Sequence, residues 1–509
     1  MTGIDRRAFL AKLTAFTAMA PQMLHAENRD RTPSESSGKR PNILFALADD
    51  WSWPDASMAN DPVVKTPVFD GVVRDGVLFT NAYVASPSCT PSRAAMLTGQ
   101  WPWRLAEGAN LAGTLPARFP VYPDLLEKAG YHVGFIGKGW APGNVTAGGR
   151  TRNPAGKQYA SYKAFMDARP VDTPFCLWFG CHDPHRPYTA GQGVKAGLDP
   201  AKVIVPPYLP DAPAVRGDIL DYDFAVERYD TLTGAILDDL KVRGELDETL
   251  VVMAGDNGWA FPRCKANLYD RGTHVPLAMM WKGHATPGKV VDDFVSLTEL
   301  AQTFLDVAGL TPLPEMTGRS LIPLLKSEKP DPGRAFILTG MERHMGARRG
   351  DLGYPMRAIR TQHWIYIRNF KPDRWPAGDP NRKPVTFADL ATETYMGFAD
   401  IDPGPAKAYI IVNRDDPKVR PFFELATGKR PAQELYRIST GVDADPYQLH
   451  NLAADPQYKA VLDHLDEQLM AELKRTGDPR AQGQGDAFDA YPLLHDPDYM
   501  VRHDAFFKD

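Results

Sequence analysis

Side chains able to bind a cation or attack an electrophile gather at a few points of the 509-residue chain. Asp49-Asp50 and Asp256-Asn257 offer only hard oxygen donors, a set that suits Ca2+ or Mg2+, whereas zinc would want His or Cys at its own spacings. A lone Asp-Asp pair is ordinarily a solvated turn, and it is the second acidic pair that points to a metal. Cys89 opens the run Cys89-Thr90-Pro91-Ser92-Arg93. Pro91 fits the first turn of a helix, which puts Cys89 at a helix N-terminus, where backbone N–H groups favour an anion. Two readings of Cys89 stand together: a buried structural thiol, or a nucleophile activated by the helix terminus and Arg93. Lys138 and the run Cys181-His182-Asp183-Pro184-His185 add a cation and two imidazoles.

Each group follows an apolar run of strand length. Asn42–Ala48 leads into Asp49-Asp50, Tyr131–Ile136 into Gly137-Lys138, Phe175–Gly180 into Cys181–His185, and Leu250–Ala254 into Gly255-Asp256-Asn257. Such runs alternate with helical patterns, predicted after Pro91 and over Pro123–Ala129, Asp223–Val242 and Ser296–Ala308. That alternation predicts an α/β fold, and in open α/β sheets ligands bind beyond the carboxyl ends of the strands. Four strands would then deliver three acids, an amide, a lysine and two histidines to one edge. From about Ala335 the texture changes. Phe336-Ile337-Leu338 and Trp364-Ile365-Tyr366-Ile367 read as strands of a second, antiparallel sheet, followed by a loop-rich stretch from Phe370 to Pro421 and an amphipathic helix over Val461–Arg475. The expected organisation is a signal peptide at 1–26, a flexible leader at 27–39, a catalytic domain at 40–345 and a C-terminal α+β subdomain at 346–509.

Composition narrows the function classes. With 58 Lys+Arg against 63 Asp+Glu, the net charge of −5 argues against a nucleic-acid-coating protein. A hydrophobic fraction of 43% with 10% aromatics argues against disorder, and four cysteines cannot form a disulfide scaffold. Cys176, Cys181 and Cys264 are expected as buried or free thiols. At the N-terminus, Arg6-Arg7-Ala8-Phe9-Leu10 precedes a weakly apolar stretch and a cleavage site after Ala26, the pattern of a twin-arginine export signal. Its removal takes away Asp5, Arg6, Arg7 and Lys12 and shifts the charge from −5 to −7. No other run approaches the roughly 20 apolar residues of a membrane span, so a periplasmic or secreted product is expected.

At these residues the sequence resembles the formylglycine-dependent sulfatases of the alkaline phosphatase superfamily. The likeness is carried by Ala48-Asp49-Asp50, by the string from Ser86 through Cys89-Thr90-Pro91-Ser92-Arg93 to Gly99, by Gly130–Lys138, by His182–Arg186, by Asp256-Asn257-Gly258 and by Gly318–Leu325. Phe261–Tyr269, Tyr354–Arg357, Glu434–Tyr436 and Asn451–Pro456 are similar to the sulfamidase (heparan N-sulfatase) branch. The resemblance implies an alkaline-phosphatase-like mixed sheet flanked by helices. It also implies oxidation of Cys89 to formylglycine and a metal held by Asp49, Asp50, Asp256, Asn257 and residue 89; together with the twin-arginine signal, this predicts modification by a cytoplasmic formylglycine-generating enzyme before passage through the twin-arginine translocase. One hydroxyl of the hydrated aldehyde would attack sulfur and the second would later help expel sulfate. Arg93 would orient the diol, Lys138 and Lys265 would hold the sulfuryl oxygens, and His185 would contact the sulfate or protonate the leaving group. The implied substrate is a sulfated saccharide, with N-sulfoglucosamine ends of heparin or heparan sulfate foremost.

One departure stands out. Family members commonly carry a His two residues after the lysine, and here Trp140 holds that place. Trp cannot act as a base, which leaves His182, His344 or metal-bound solvent for the proton, with Trp140 as a wall against the sugar. His182, Arg186, His344 and Arg357 are further candidates for substrate contact, with surface or structural ion pairing as the alternative for Arg186 and Arg357. Arg263, Arg348 and Arg349 are expected as solvated side chains, with a basic rim for a polyanion as the alternative. Competing functions are a phosphonate monoester or phosphodiester hydrolase, and a sulfated-glycan binding protein in which Cys89 stays unmodified.

Overall fold

In the first strand, β1 (Asn42–Ala48), Ile43, Phe45 and Leu47 point into one apolar layer while Leu44, Ala46 and Ala48 point into another. This is the period-two alternation of a strand buried on both faces, which explains why the sequence reads as one continuous hydrophobic run. The computed structural model of the chain describes residues 40–381, 383–439 and 444–508. The signal peptide at 1–26 and the leader at 27–39 lie outside the described residues.

β1 pairs in parallel with β6 (Phe175–Gly180) and β7 (Thr249–Gly255), and β6 pairs in parallel with β4 (His132–Gly137). These four strands form the centre of an eight-stranded mixed sheet. It is completed by β5 (Lys157–Tyr159) beyond β4, and by β8 (Leu277–Met280), β2 (Val77–Phe79) and β9 (Lys289–Val291) beyond β7. β8 runs antiparallel to both its neighbours, so the sheet is mixed, as the resemblance implies. A short parallel pair joins β3 (Ala82–Tyr83) to β10 (Val295–Ser296). The helix expected from Asp223 begins earlier, at Pro213, and runs to Val242. Proline suits that first turn, and Val215, Ile219 and Leu220 extend the buried face.

The second sheet is antiparallel, in the order β11 (Phe336–Met341), β12 (Met356–Thr361), β13 (Trp364–Asn369), β14 (Gln433–Arg437). One face packs on the helix Lys459–Arg475 through Leu462, Leu465, Leu469 and Leu473, spaced to fall on one side of the helix. The other face covers Ala266, Leu268 and Tyr269, and Tyr269 donates a 2.7 Å hydrogen bond to Glu434. The second sheet therefore fixes the loop that carries Lys265. Residues Arg40–Asp509 form one compact unit.

Candidate active site

The four central strands end together, and their following residues converge. Asp49, Asp50, Cys89 and His185 place one ligand atom each within 4.8 Å of one another. Asp50 adopts a left-handed backbone (φ 72°), a conformation that costs an Asp on the order of 1 kcal/mol. Its N–H donates to Asp256 Oδ1 at 2.9 Å, and its carboxylate accepts from Asn257 Nδ2 at 2.6 Å and Lys265 Nζ at 2.8 Å. Lys138 is turned into the cluster by Gly137 (φ 71°), where any Cβ would lie 2.2 Å from the Gly180 carbonyl oxygen. Its Nζ then sits 2.6 Å from Asp49 Oδ2.

Cys89 begins the helix Cys89–Thr98, all ten residues of which are buried. Its Sγ lies 3.6 Å from Asp49 Oδ1, and Arg93 Nη2 lies at the same distance from that oxygen. Arg93 Nε pairs with Asp256 Oδ2 at 2.7 Å and Nη1 donates to the carbonyls of Lys138 and Gly139, while Nη2 makes no hydrogen bond. Burial pushes the Cys89 thiol far above its ordinary range. Burial thus opposes the reading of an unmodified Cys89 as a thiolate activated by the helix terminus and Arg93.

Burial raises the carboxyls of Asp50 and Asp256 to about 6. Against the same burial, Lys138, His185 and Arg93 hold Asp49 well below the usual range. Among these groups Asp49, Asp50, Asp256 and Asp402 face the cations Arg93, Lys138 and Lys265, a deficit of one positive charge when all are ionised. A divalent cation turns that deficit into a surplus of one, the sign an anionic substrate requires. Asn257 Oδ1 is buried with no hydrogen-bond partner among the described residues, a donor atom awaiting an acceptor of electrons. The oxygen-rich donor set and this orphaned atom fit a hard metal ion.

The cluster forms part of the lining of a cavity of about 750 Å3 that is also bordered by His182, Arg186 and His344. Half-buried His185 loses hydration and faces Lys265, which together push it down to about 4, and its Nδ1 is 2.5 Å from the Arg186 carbonyl. Burial pushes His344 down to about 4 as well, and its Nδ1 meets Ser88 Oγ at 2.8 Å. His182 is exposed at the cavity, and Arg186 reaches it while committed to Asp218 by two bonds of 2.6 and 2.9 Å.

Two expectations are overturned. Trp140 is 1% exposed and packs in the core beneath the sheet, leaving Ala141 and Pro142 to line the cavity, so it is no wall for a sugar. Arg357, also 1% exposed, is spent on Glu342 and Asp478 at 2.6 Å each and lies over Trp103. It is absent from the cavity lining because it points to the helix-covered side of the second sheet. Of the expected basic rim, Arg348 is buried against Asp400 and Arg263 is buried over Tyr269, while Arg349 is exposed with its N–H bonded to Asp379.

Sequence reasoning missed Asp402, His495 and Tyr499, all of which line the cavity. Asp402 lies 2.9 Å from Lys265 Nζ, and although burial opposes it, Lys265 and the nearby histidines hold its carboxyl strongly ionised. No local pattern marks these residues; they reach the site only through tertiary folding.

Comparison with known proteins agrees with this architecture. The Sulfatase family model matches residues 41–149 and 156–310, and the model described as "N-sulphoglucosamine sulphohydrolase, C-terminal" matches residues 255–397. The chain is 30% identical to N-sulphoglucosamine sulphohydrolase of Homo sapiens over 86% of its length and 91% of the relative's. It is 28% identical to a ulvan-active sulfatase of Formosa agariphila over 87% of this chain and 82% of the other. Among solved structures, a protein in complex with its substrate D-glucosamine-2-N,6-O-disulfate superposes with a TM-score of 0.59 at 18% identity, covering 86% of this chain and 99% of that one. The phosphonate monoester hydrolase of Silicibacter pomeroyi superposes with a TM-score of 0.62 at 18% identity, covering 86% and 96%, which establishes the alkaline-phosphatase-like fold. By the match of the family model over more than half of the chain, and by its likeness to the human enzyme along nearly its whole length, the chain belongs to the sulfatase family.

Proposed function

We propose that this sulfatase acts on sulfated saccharides carrying N-sulfoglucosamine-type units, after conversion of Cys89 to formylglycine. The observation that carries the reading is the place of Cys89, which lines the cavity with its Sγ 3.6 Å from Asp49 Oδ1, in a cluster with Asp50 and His185 and beside Lys138 and Lys265. A formylglycine at this position supplies a hydrated aldehyde whose hydroxyl can attack sulfur. Asp49, Asp50, Asp256, Asn257 and the side chain at position 89 would hold the metal, for which we favour Ca2+ over Mg2+ because the donors are all hard and numerous. When bound, it supplies positive charge to the oxygens of the sulfuryl group.

The remaining work falls to the chain's own residues. Asp49 keeps Lys138 protonated and Asp402 and Asp50 keep Lys265 protonated, so both ammonium groups stay charged where sulfuryl oxygens gain negative charge. The Nδ1–H of His185 donates to the Arg186 carbonyl, which leaves Nε2 as the basic nitrogen facing the cluster. His185 can accept the proton of the attacking hydroxyl and then return it to the departing nitrogen or oxygen, acting as acid only after it has acted as base. His182, exposed at the cavity, is our assignment for a substrate hydrogen bond. Similarity to the human N-sulphoglucosamine sulphohydrolase and the match of its C-terminal family model support the amino-sugar substrate.

Sulfate release from a panel of N-, 2-O- and 6-O-sulfated glucosamine mono- and disaccharides tests this, with an aryl phosphonate alongside. Fastest turnover of N-sulfoglucosamine is expected, and dominant phosphonate hydrolysis would overturn the sulfatase chemistry. The twin arginines Arg6-Arg7 further support export by the twin-arginine translocase after modification of Cys89 in the cytoplasm. Retention of an Arg6→Lys, Arg7→Lys precursor inside the cell is the expected result, and unaltered export refutes that route.

A further inference from the structure

The end of the chain, far in sequence from every motif that points to the site, reaches the cavity. His495 and Tyr499 line it, and their rings stack with centroids 3.7 Å apart and planes 14° from parallel. The two sit four residues apart across the start of the helix Pro497–Phe507 and are locked by Asp496. Its Oδ1 accepts from the Tyr499 N–H at 2.9 Å and its Oδ2 lies 2.8 Å from His495 Nδ1. Tyr499 packs against the apolar cluster that contains Cys89, Leu111, Met345 and Tyr395, meeting Tyr395 edge-on at 5.2 Å. The stack and the nucleophile position therefore share one packed wall.

This segment is tethered at both ends. Arg343 donates to the carbonyls of Tyr491 and Pro492 at 2.8 and 2.9 Å, and Leu494 N–H bonds to Ala112 O at 2.6 Å. Further along, His503 Nε2 lies 2.7 Å from Asp351 Oδ1. The aromatic surface is thus held in place before any ligand arrives. The cationic part of the cavity accounts for a sulfuryl group, and the chemistry above makes no use of the aromatic part. A pyranose ring, with apolar C–H faces and a polar rim, can lie on a flat aromatic surface beside cations that hold its sulfate.

The geometry points to the His495–Tyr499 stack as a saccharide subsite, the platform for the sugar ring, contributed by the C-terminal segment. This rests on the saccharide reading of the substrate given above. The test measures kcat and KM for the best sulfated sugar, and inhibition by the two products separately, in wild type, Tyr499→Ala, Tyr499→Phe and His495→Ala. Tyr499→Ala is expected to weaken the desulfated sugar by about tenfold and raise KM to match, with inorganic sulfate inhibition within about twofold of wild type. Tyr499→Phe keeps the ring and should stay near wild type. His495→Ala gives an independent reading should Tyr499→Ala loosen the Cys89 cluster. Unchanged sugar affinity in both alanine variants, or equal weakening of sugar and sulfate, overturns the platform. Wild type active on a different sulfated sugar overturns the N-sulfoglucosamine assignment alone, and the platform is then judged with that sugar. Wild type that hydrolyses aryl sulfates and no saccharide overturns both.

Discussion

Replacing Arg357 by Met separates a structural cation from a substrate-binding one. Arg357 Nε and Nη2 hold Asp478 at 2.6 and 3.2 Å, and Nη2 also holds Glu342 at 2.6 Å. Glu342 keeps a second partner in Arg480, at 2.6 Å, whereas Asp478, fully buried, keeps among the described residues only the Arg480 backbone N–H at 2.9 Å. The variant thus leaves one buried carboxylate without a cation, a loss of about 3–5 kcal/mol. A unit of about 470 residues has an unfolding entropy of roughly 1 kcal/mol per kelvin, so Tm should fall by about 3–5 °C. Calorimetry reads that shift, and kinetics on the same sample should give kcat/KM for a sulfated sugar within about twofold of wild type. In the double variant Arg357→Met, Asp478→Asn, the loss should be smaller than the two single losses together, because no charge is left unpaired. A tenfold fall in kcat/KM confined to the saccharide, with Tm unmoved, would refute the structural assignment.

Cys89→Ala should abolish turnover while lowering stability by only about 1 kcal/mol, since one buried sulfur is lost from a packed helix; residual activity in a purified sample excludes position 89 as the source of the nucleophile. Asp256→Ala removes a carboxylate oxygen and frees Arg93 from its 2.7 Å partner, so calcium titration should show affinity weakened by at least tenfold, and unchanged metal content contradicts the ligand set. Despite partial burial, Asp351 and Asp504 raise the pKa of His503 above 6.5, so its stabilising charge is fully present below pH 6.5 and is lost as pH rises through the raised value. Tm of wild type relative to His503→Gln should accordingly be higher at pH 5.5 than at pH 8.5, and a pH-independent difference contradicts the ion pair.

The sheet and the heart of the site were legible because local signals coincide there. An apolar run buried on both faces reads as a strand whatever its neighbours, and the residues after it must emerge at the sheet edge, so Asp49, Lys138, His185 and Asp256 could be gathered from sequence. Pro91 marked the helix that carries Cys89. Side-chain direction beyond the strand ends was not legible. Trp140 follows Lys138 by two residues, yet the turn buries its ring in the core while exposing Ala141 and Pro142. Arg357 lies on β12, where neighbouring residues face opposite ways, and only the packing of Trp103 and Asp478 decides its side. Asp402 and Tyr499 lie in segments whose sequence carries no strand or motif, and their place depends on contacts made across the whole chain.

The enclosure of the helix Cys89–Thr98 also sets a clock. Its Ser92 and Arg93 bond to Asp256 at the end of β7, contacts that form only after residue 256 has been made. At about 5–20 residues per second, synthesis of the intervening stretch takes roughly 8–33 s. Through that interval Cys89 cannot yet be sealed, and an enzyme that oxidises it works on an open chain. Once β7 docks and Met345, Tyr395 and Tyr499 close over the cluster, the thiol is 2% exposed and the opportunity has passed. Under the proposed conversion of Cys89 to formylglycine, the yield of active protein would be a race between oxidation and folding, and a variant that folds more slowly without loss of stability should carry a larger fraction of modified Cys89.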